Sequence, residues 1–383
     1  MARIYLIAGE ASGDALGAKL MHALRECLPD IEFTGIGGTR MRKEGLNSLF
    51  PMEELSLIGF AEIIPHIPQL LKRIKETVNH ILDNKPDILI TIDAPGFNKR
   101  VVQQLRKRSN NLPKIVHYVA PSVWAYKPKR AETMAKLFDH LLVLLPFEPP
   151  YFKEVGLPCT FVGHPIVEEP IRGGDGHAFR AKYTIPETAP ILLILPGSRE
   201  GELQRLLPVF RMTLAQLQVK FPELHGVVLA TPAFQERLEE EIKEWTQPTH
   251  VIASPEDKAG ALAASTLALA KSGTITLELA MAGIPMVVAY KVNPVSAWML
   301  RRMIRVPYVN LINIIRKETV IPELLQEACT PESLTEALGT LLEDDTKREH
   351  QRQIIQETMH ALGDGELPSP SEKAAKVVVG LLN

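Results

Sequence analysis

The chain is poor in cysteine, with three in 383 residues. Cys27, Cys159 and Cys329 lie far apart and show no CxxC spacing. That excludes a disulfide framework, argues against a zinc site and suits a reducing compartment. Net charge is also small, -2 at neutral pH, so nothing pulls the whole molecule toward nucleic acid or anionic lipid. Any such attraction must be local, and no nucleic-acid partner is expected. No uninterrupted apolar run approaches the length that spans a bilayer. Ile4 to Ala8 is apolar, but it is too short for a signal-peptide core and turns at once into Gly-Glu-Ala-Ser-Gly-Asp. A cytoplasmic protein, soluble or peripheral on a membrane, is the expectation. The first strand is not followed by GxGxxG, so a dinucleotide fingerprint is missing from its proper place.

What is present is a repeated strand–helix pattern, clearest in Ser265 to Tyr290. Leu267 to Ala270 reads as a strand, and Lys271-Ser272-Gly273 as a turn. Thr274 is a candidate N-cap, and Leu277, Glu278, Ala280 and Met281 carry a helical period. Gly283 falls where a helix end wants a left-handed residue, and Pro285 prevents continuation. Met286 to Ala289 is the next strand. Such a helix can point its free N–H groups at a phosphate. Glu278, one turn on, could accept hydrogen bonds from ribose hydroxyls. An ordinary βαβ unit with a capped helix is the plainer reading.

The first half carries the same alternation. Arg3 to Ala8 is a strand, and a helix is expected from about Ala15 to Cys27. Glu10 and Ser12 stand in the loop between them, where α/β folds bind ligands, although Ser12 also suits a helix cap. Asp87 to Asp93 reads as a strand buried on both faces, and Asp93 ends it. A carboxylate there can act as general base toward a substrate hydroxyl, or it can cap the next helix. Pro51 to Ile74 is dense in apolar residues, among them Leu57, Ile58, Phe60, Ile63 and Ile64, with Pro65 and Pro68 interrupting. It reads as a buried helix–loop–helix or as an apolar surface that meets lipid. Lys114 to Ala120 is a strand, followed by the aromatic loop Pro121 to Tyr126 and by Lys127, Lys129 and Arg130.

Glu168 to Gly176 is a Gly/Asp-rich candidate linker, after which a second strand–helix series begins. Ile191 to Leu195 is a strand ending in Pro196-Gly197-Ser198-Arg199, which puts backbone N–H groups and a guanidinium at one point. The bland alternative is a plain turn with an exposed arginine. Pro294 to Pro307 has Met299, Leu300, Met303 and Ile304 on one helical face, with Trp298, Arg301, Arg302 and Arg305 on the other. That pattern suits a membrane-interface helix, or a core helix with a solvated basic side. Asn310 and Asn313 interrupt the apolar run after Tyr308, and a buried asparagine needs partners. Two α/β halves follow, residues 1–170 and 177–362, with a last helix at 371–383 expected to pack on the first half. A cleft between such halves is the natural ligand site.

Seven motifs occur in order: AGEASGD at Ala8–Asp14, IDAPGFN at Ile92–Asn98, HYVAPSVWAY at His117–Tyr126, LPFE at Leu145–Glu148, FVGHP at Phe161–Pro165, LPGSR at Leu195–Arg199 and SGTITLE at Ser272–Glu278. In these the chain closely resembles the lipid-A-disaccharide synthases, bacterial glycosyltransferases, from the first strand to about Glu327. The resemblance implies an α/β fold of GT-B architecture, two Rossmann-like parallel-sheet domains facing across a cleft. It implies transfer from UDP-2,3-diacylglucosamine to 2,3-diacylglucosamine 1-phosphate, giving UDP and a β-1,6-linked disaccharide. It points to Glu10, Ser12, Asp93, Arg199 and Asn313. The family usually has aspartate where this chain has Gly96, and often proline at the position of Ile312.

The residues and the resemblance together imply a mechanism. Gly197, Ser198, Arg199, Ser272, Gly273 and Thr274 take the diphosphate of UDP, and Glu278 takes the ribose. Asp93, with Glu10 as rival, deprotonates the acceptor 6-hydroxyl, which attacks the anomeric carbon in line with inversion. No DxD sequence occurs, so neither a metal nor another cofactor is expected. The acyl chains give Leu57–Leu71 and Trp298–Arg305 a reason to touch an anionic membrane, the cytoplasmic face of the inner membrane. A homodimer is compatible with all of this. The competing readings are a UDP-sugar epimerase, a peptidoglycan glycosyltransferase, which would lack the AGEASGD and HYVAPSVWAY blocks, and a non-catalytic, membrane-attached nucleotide-sugar sensor.

Overall fold

A computed structural model describes residues 1–55, 67–246, 248–293, 297 and 306–382. The chain divides into two compact units, Met1–Glu168 with Leu362–Asn383, and Glu169–Ala361.

The first unit is built on a seven-stranded parallel sheet. Its strands are β1 (Ala2–Ala8), β2 (Ile31–Ile36), β3 (Asn47–Ser48), β4 (Ile88–Ile92), β5 (Lys114–Tyr118), β6 (His140–Val143) and β7 (Cys159–Phe161), in the order β3-β2-β1-β4-β5-β6-β7. Ile88 to Ile92 are all buried, as the near-continuous apolar run requires of a strand covered on both faces. The order reverses between β1 and β4, whose last paired residues are Ala8 and Ile92. At such a reversal the following loops diverge and leave a crevice.

The helix after β1 begins at Ala11, earlier than its apolar period suggests. Ser12 therefore lies in the first turn, and Glu10 is the N-cap without a side-chain capping bond. Asp14 lies inside this helix. It is buried, and its carboxylate accepts hydrogen bonds from the backbone N–H groups of Gly38, Arg40 and Met41 at 2.8–3.0 Å. The last helix, Pro370–Leu382, buries Ala374, Ala375 and Val378 in the core of the first unit. Ser371 N donates to Glu168 Oε1 at 2.9 Å and anchors its start.

The second unit carries a six-stranded parallel sheet of β8 (Ile191–Leu195), β9 (His225–Leu229), β10 (Thr249–Ile252), β11 (Leu267–Lys271), β12 (Met286–Tyr290) and β13 (Glu323–Leu325). Its order is β10-β9-β8-β11-β12-β13, so the reversal falls between β8 and β11. The helix Ile275–Met281 ends as its sequence indicates, with Gly283 at φ +70°. Thr274 sits at its N-cap in a right-handed helical conformation and makes no side-chain capping bond.

Of the apolar and basic residues expected to meet lipid, Leu57, Ile58, Phe60, Ile63, Ile64, Trp298, Met299, Arg301, Arg302 and Arg305 lie outside the described residues. Among the described residues no helix is long and apolar enough to cross a membrane.

Candidate active site

In the first unit the site begins with a strained turn. Asp93 and Ala94 follow β4 with φ of +45° and +43°, a region that non-glycine residues avoid. Asn98 holds them there. Its side chain is fully buried, and its Nδ2 donates to the carbonyls of Ile92 at 3.2 Å and Asp93 at 2.7 Å. Asp93 N donates to Tyr118 O of the neighbouring strand at 2.9 Å. The Asp93 carboxyl is half-buried, and loss of solvent pushes its pKa up from the ordinary carboxylate value against the lowering effect of the Ala94 N–H. That is the direction a general base needs.

Gly9 packs against this turn. A Cβ on Gly9 would stand 2.8 Å from Ala94 Cβ, so only glycine lets the two loops meet. Glu10 and Ser12 follow at once and are exposed. The loops that carry Glu10 and Asp93 thus leave adjacent strand ends at the point where strand order reverses.

One other motif of this unit has a structural duty. The LPFE glutamate, Glu148, is buried, accepts from Leu145 N at 3.0 Å and accepts from Trp124 Nε1 at 3.2 Å. It ties the aromatic loop to the end of β6. Desolvation pushes its pKa up to about 7 despite these donors.

In the second unit the loops after β8 and β11 line a cavity of about 480 Å³. Gly197, Ser198, Arg199, Gly273 and Thr274 are brought together around it. Gly197 has φ +119°, and a Cβ there would come within 2.8 Å of Glu202 Cβ, which accounts for the glycine of LPGSR. Glu202 orders the loop by accepting from Ser198 N at 3.1 Å and pairing with Lys271 at 2.9 Å. Arg199 is exposed and forms no ion pair among the described residues.

Three of the expected nucleotide contacts are not on this wall. Ser272 gives its N–H to Ala289 O at 3.0 Å and is not a lining residue. Glu278 is paired with Lys258, and Lys258, not Glu278, faces the cavity. Asn313 is fully buried and its amide is saturated. Its Nδ2 donates to Ile321 O and Glu323 Oε1, both at 2.8 Å, while its Oδ1 accepts from Val320 N at 3.0 Å and Ile321 N at 2.9 Å. The partners that a buried asparagine needs come from its own neighbourhood, so no capacity is left for a ligand. Lys258 and Lys271, which motif reading passed over, bring two cations to the cavity. Lys271 lies within the strand–turn stretch, but nothing in a linear pattern shows that Lys258 points at it.

The chain matches the sequence profile of the lipid-A-disaccharide synthetase family over residues 4–378. It is 49% identical to a lipid-A-disaccharide synthase of Rhodospirillum centenum, covering 99% of this chain and 94% of that one. It is 45% identical to one of Paramagnetospirillum magneticum, covering 99% and 97%. Among solved structures, the calicheamicin glycosyltransferase CalG4 superposes with a TM-score of 0.61 at 17% identity, covering 100% of this chain and 98% of that one. A putative UDP-N-acetylglucosamine 2-epimerase from Listeria monocytogenes superposes with a TM-score of 0.63 at 13% identity, covering 98% and 94%. At such identities these structures establish the shared GT-B fold alone. With family-level identity over nearly its whole length, the chain belongs to the lipid-A-disaccharide synthases, glycosyltransferases of lipid A synthesis.

Proposed function

We propose that this chain joins UDP-2,3-diacylglucosamine to the 6-hydroxyl of 2,3-diacylglucosamine 1-phosphate, with inversion at the anomeric carbon. The observation that carries the reading is Asp93, a half-buried carboxylate of raised proton affinity in a strained turn at the reversal point of the first sheet. It takes the hydroxyl proton as the oxygen attacks. Glu10, on the adjoining loop, is the second candidate for that proton.

The cavity of the second unit takes the diphosphate. Arg199, Lys258 and Lys271 line it, and backbone N–H groups of the Gly197 and Gly273 loops add donors. Fixed cations and dipoles stabilise the charge that develops on the leaving UDP, which is the work a metal would otherwise do. Ribose hydroxyls would reach Glu278 by competing with Lys258 for its carboxylate. For the acyl chains the reading calls on the inner-membrane surface. Ile67 and Leu71, one turn apart on the helix Ile67–Asn84, are 43% and 52% exposed.

The test is one incubation of the protein with both substrates and a chelator, read by mass spectrometry. Disaccharide 1-phosphate and UDP in equal amounts are expected. UDP without disaccharide, or a 2-epimerised sugar nucleotide, would refute the transfer.

A further inference from the structure

A second cavity, of about 240 Å³, opens in the first unit immediately beyond Asp93. Most of its wall comes from three elements, with Pro121 and Phe138 added from loops. Gly96 and Lys99 belong to the helix Pro95–Arg108, His117 to β5, and Arg130 and Thr133 to the helix Arg130–Ala135. Two cations face it, and no carboxylate of the described residues lines it.

Neither cation is neutralised. Lys99 and Arg130 form no ion pair among the described residues, and Arg130 lies only over the Tyr126 ring, 5.1 Å from its centroid. Other arginines of this unit are paired: Arg73 with Glu54 at 2.7 Å, Arg106 with Asp139 at 2.9 Å. Two unpaired cations on one small cavity repel each other until an anion enters.

His117 is the independent sign of an occupant. It is 1% exposed and lines the cavity. Its Nδ1 is 2.7 Å from Thr91 Oγ1, and its ring stacks on Phe138 at 4.6 Å. Its Nε2 is buried and has no hydrogen-bond partner among the described residues. A buried polar atom without a partner costs free energy, and the ligand of the cavity can supply one. Burial holds this imidazole down at about 4, so it is neutral at pH 7. The Thr91 hydroxyl donates to Val116 O at 3.3 Å, so Nδ1 carries the imidazole proton toward Thr91 Oγ1 and Nε2 is an acceptor, suited to a hydroxyl of the occupant.

We infer that this cavity seats the anomeric phosphomonoester of the acceptor sugar, held by Lys99 and Arg130, with His117 Nε2 accepting from a hydroxyl of the bound sugar phosphate. This rests on the transfer reading above and deepens it. In that acceptor the phosphate and the reacting 6-hydroxyl stand at opposite ends of one pyranose ring. Asp93 and Gly96 are three residues apart, a span of at most about 11 Å. An acceptor anchored by its phosphate therefore presents its other end to Asp93. The space beside Gly96 is open, since a Cβ there would meet nothing within 4 Å. Lys99 and Arg130 become the residues that distinguish a phosphorylated acceptor from a neutral one.

The experiment compares wild type with Lys99→Gln and Arg130→Gln, two solvent-reachable side chains whose loss leaves no buried charge. Transfer is measured to diacylglucosamine 1-phosphate and to diacylglucosamine without the phosphate. In parallel, the His117 ring is followed by nitrogen NMR while glucosamine 1-phosphate, glucosamine or inorganic phosphate is added to the full-length protein. Each variant is expected to raise KM for the phosphorylated acceptor and to shrink its advantage over the neutral one by roughly ten- to a hundredfold, the worth of a charge-assisted hydrogen bond. KM for the UDP-sugar stays within twofold. The His117 signal moves with glucosamine 1-phosphate in wild type, not with glucosamine, and not in Arg130→Gln. Unchanged acceptor preference in both variants overturns the assignment while leaving the transfer reaction standing. An equal response to inorganic phosphate overturns the orienting role. If wild type transfers to neither acceptor, the transfer reading fails on its own, and the NMR arm decides the cavity: a shift confined to glucosamine 1-phosphate supports a phosphomonoester seat, and no shift refutes it.

Discussion

Replacing Glu148 by glutamine should change how stability depends on pH, by an amount that its burial sets. Glu148 is 3% exposed, and loss of solvent moves its pKa from the ordinary 4.5 to about 7. The folded state therefore holds the proton more tightly than the unfolded chain does. Below pH 4.5 both states are protonated, and the contribution is fully present. Between 4.5 and about 7 the unfolded chain releases its proton first, so stability falls as pH rises. Above 7 both are ionised, and the loss is complete. At about 1.4 kcal/mol per tenfold change in proton affinity, the loss amounts to roughly 3 kcal/mol. Glutamine has no such titration. It keeps one acceptor for the two donors, Trp124 Nε1 and Leu145 N, and so carries a constant penalty instead. Urea unfolding of both proteins from pH 4.5 to 8, followed by Trp124 fluorescence with Trp245 and Trp298 replaced by phenylalanine, gives the difference directly. Histidines and other carboxylates cancel in it. The advantage of wild type over Glu148→Gln should shrink by about 3 kcal/mol across that range. A difference that is flat, or that grows with pH, would falsify the account of a carboxylate kept neutral by burial.

Asp93→Asn should lower kcat by at least a hundredfold with little change in UDP binding, the range for losing a general base. The acid limb of the wild-type pH–rate profile should lie above the ordinary carboxylate range, because burial raises Asp93, and should vanish in the variant. A limb that survives the substitution would assign it to another group. Asn98→Ala removes the donor from the carbonyls of Ile92 and Asp93; thermal unfolding should report a loss of about 1–3 kcal/mol, with kcat falling as the turn relaxes. Unchanged stability and rate would mean the turn holds itself. Asn313→Ala should destabilise the second unit by roughly 2–4 kcal/mol, since it orphans buried groups around Val320 and Ile321, yet leave UDP affinity of the folded fraction within twofold. A large affinity loss measured by calorimetry would put this asparagine on the ligand after all.

The strand–helix alternation was legible because it is local. Apolar runs such as Ile88–Ile92 and Ile191–Leu195 can be satisfied only inside a covered parallel sheet, and Gly283 and Pro285 end a helix by their own backbone limits. Gly197 belongs with them, since a loop that needs φ +119° announces its glycine. Asp14 looks like an ordinary loop acid, and the linear pattern starts the first helix only after it. Only its capture of three N–H groups from the Gly38–Met41 segment shows otherwise.

Strand order, and all that depends on it, came from the tertiary structure. No period in the sequence says that β4 lies beside β1 and β11 beside β8, yet those neighbours set the Asp93 loop against Gly9 and put Arg199, Lys258 and Lys271 on one cavity. The same holds for what polar residues do. Asn313 satisfies itself with its own surroundings, and Glu278 pairs with Lys258. His117, within a motif, has no partner for Nε2 among the described residues and shares a cavity with Lys99 and Arg130. Sequence periodicity reports which face of an element is apolar, a property of a few consecutive residues. Which donors, acceptors and charges then meet is a matter of distances across the fold, and those exist only once the sheets are assembled.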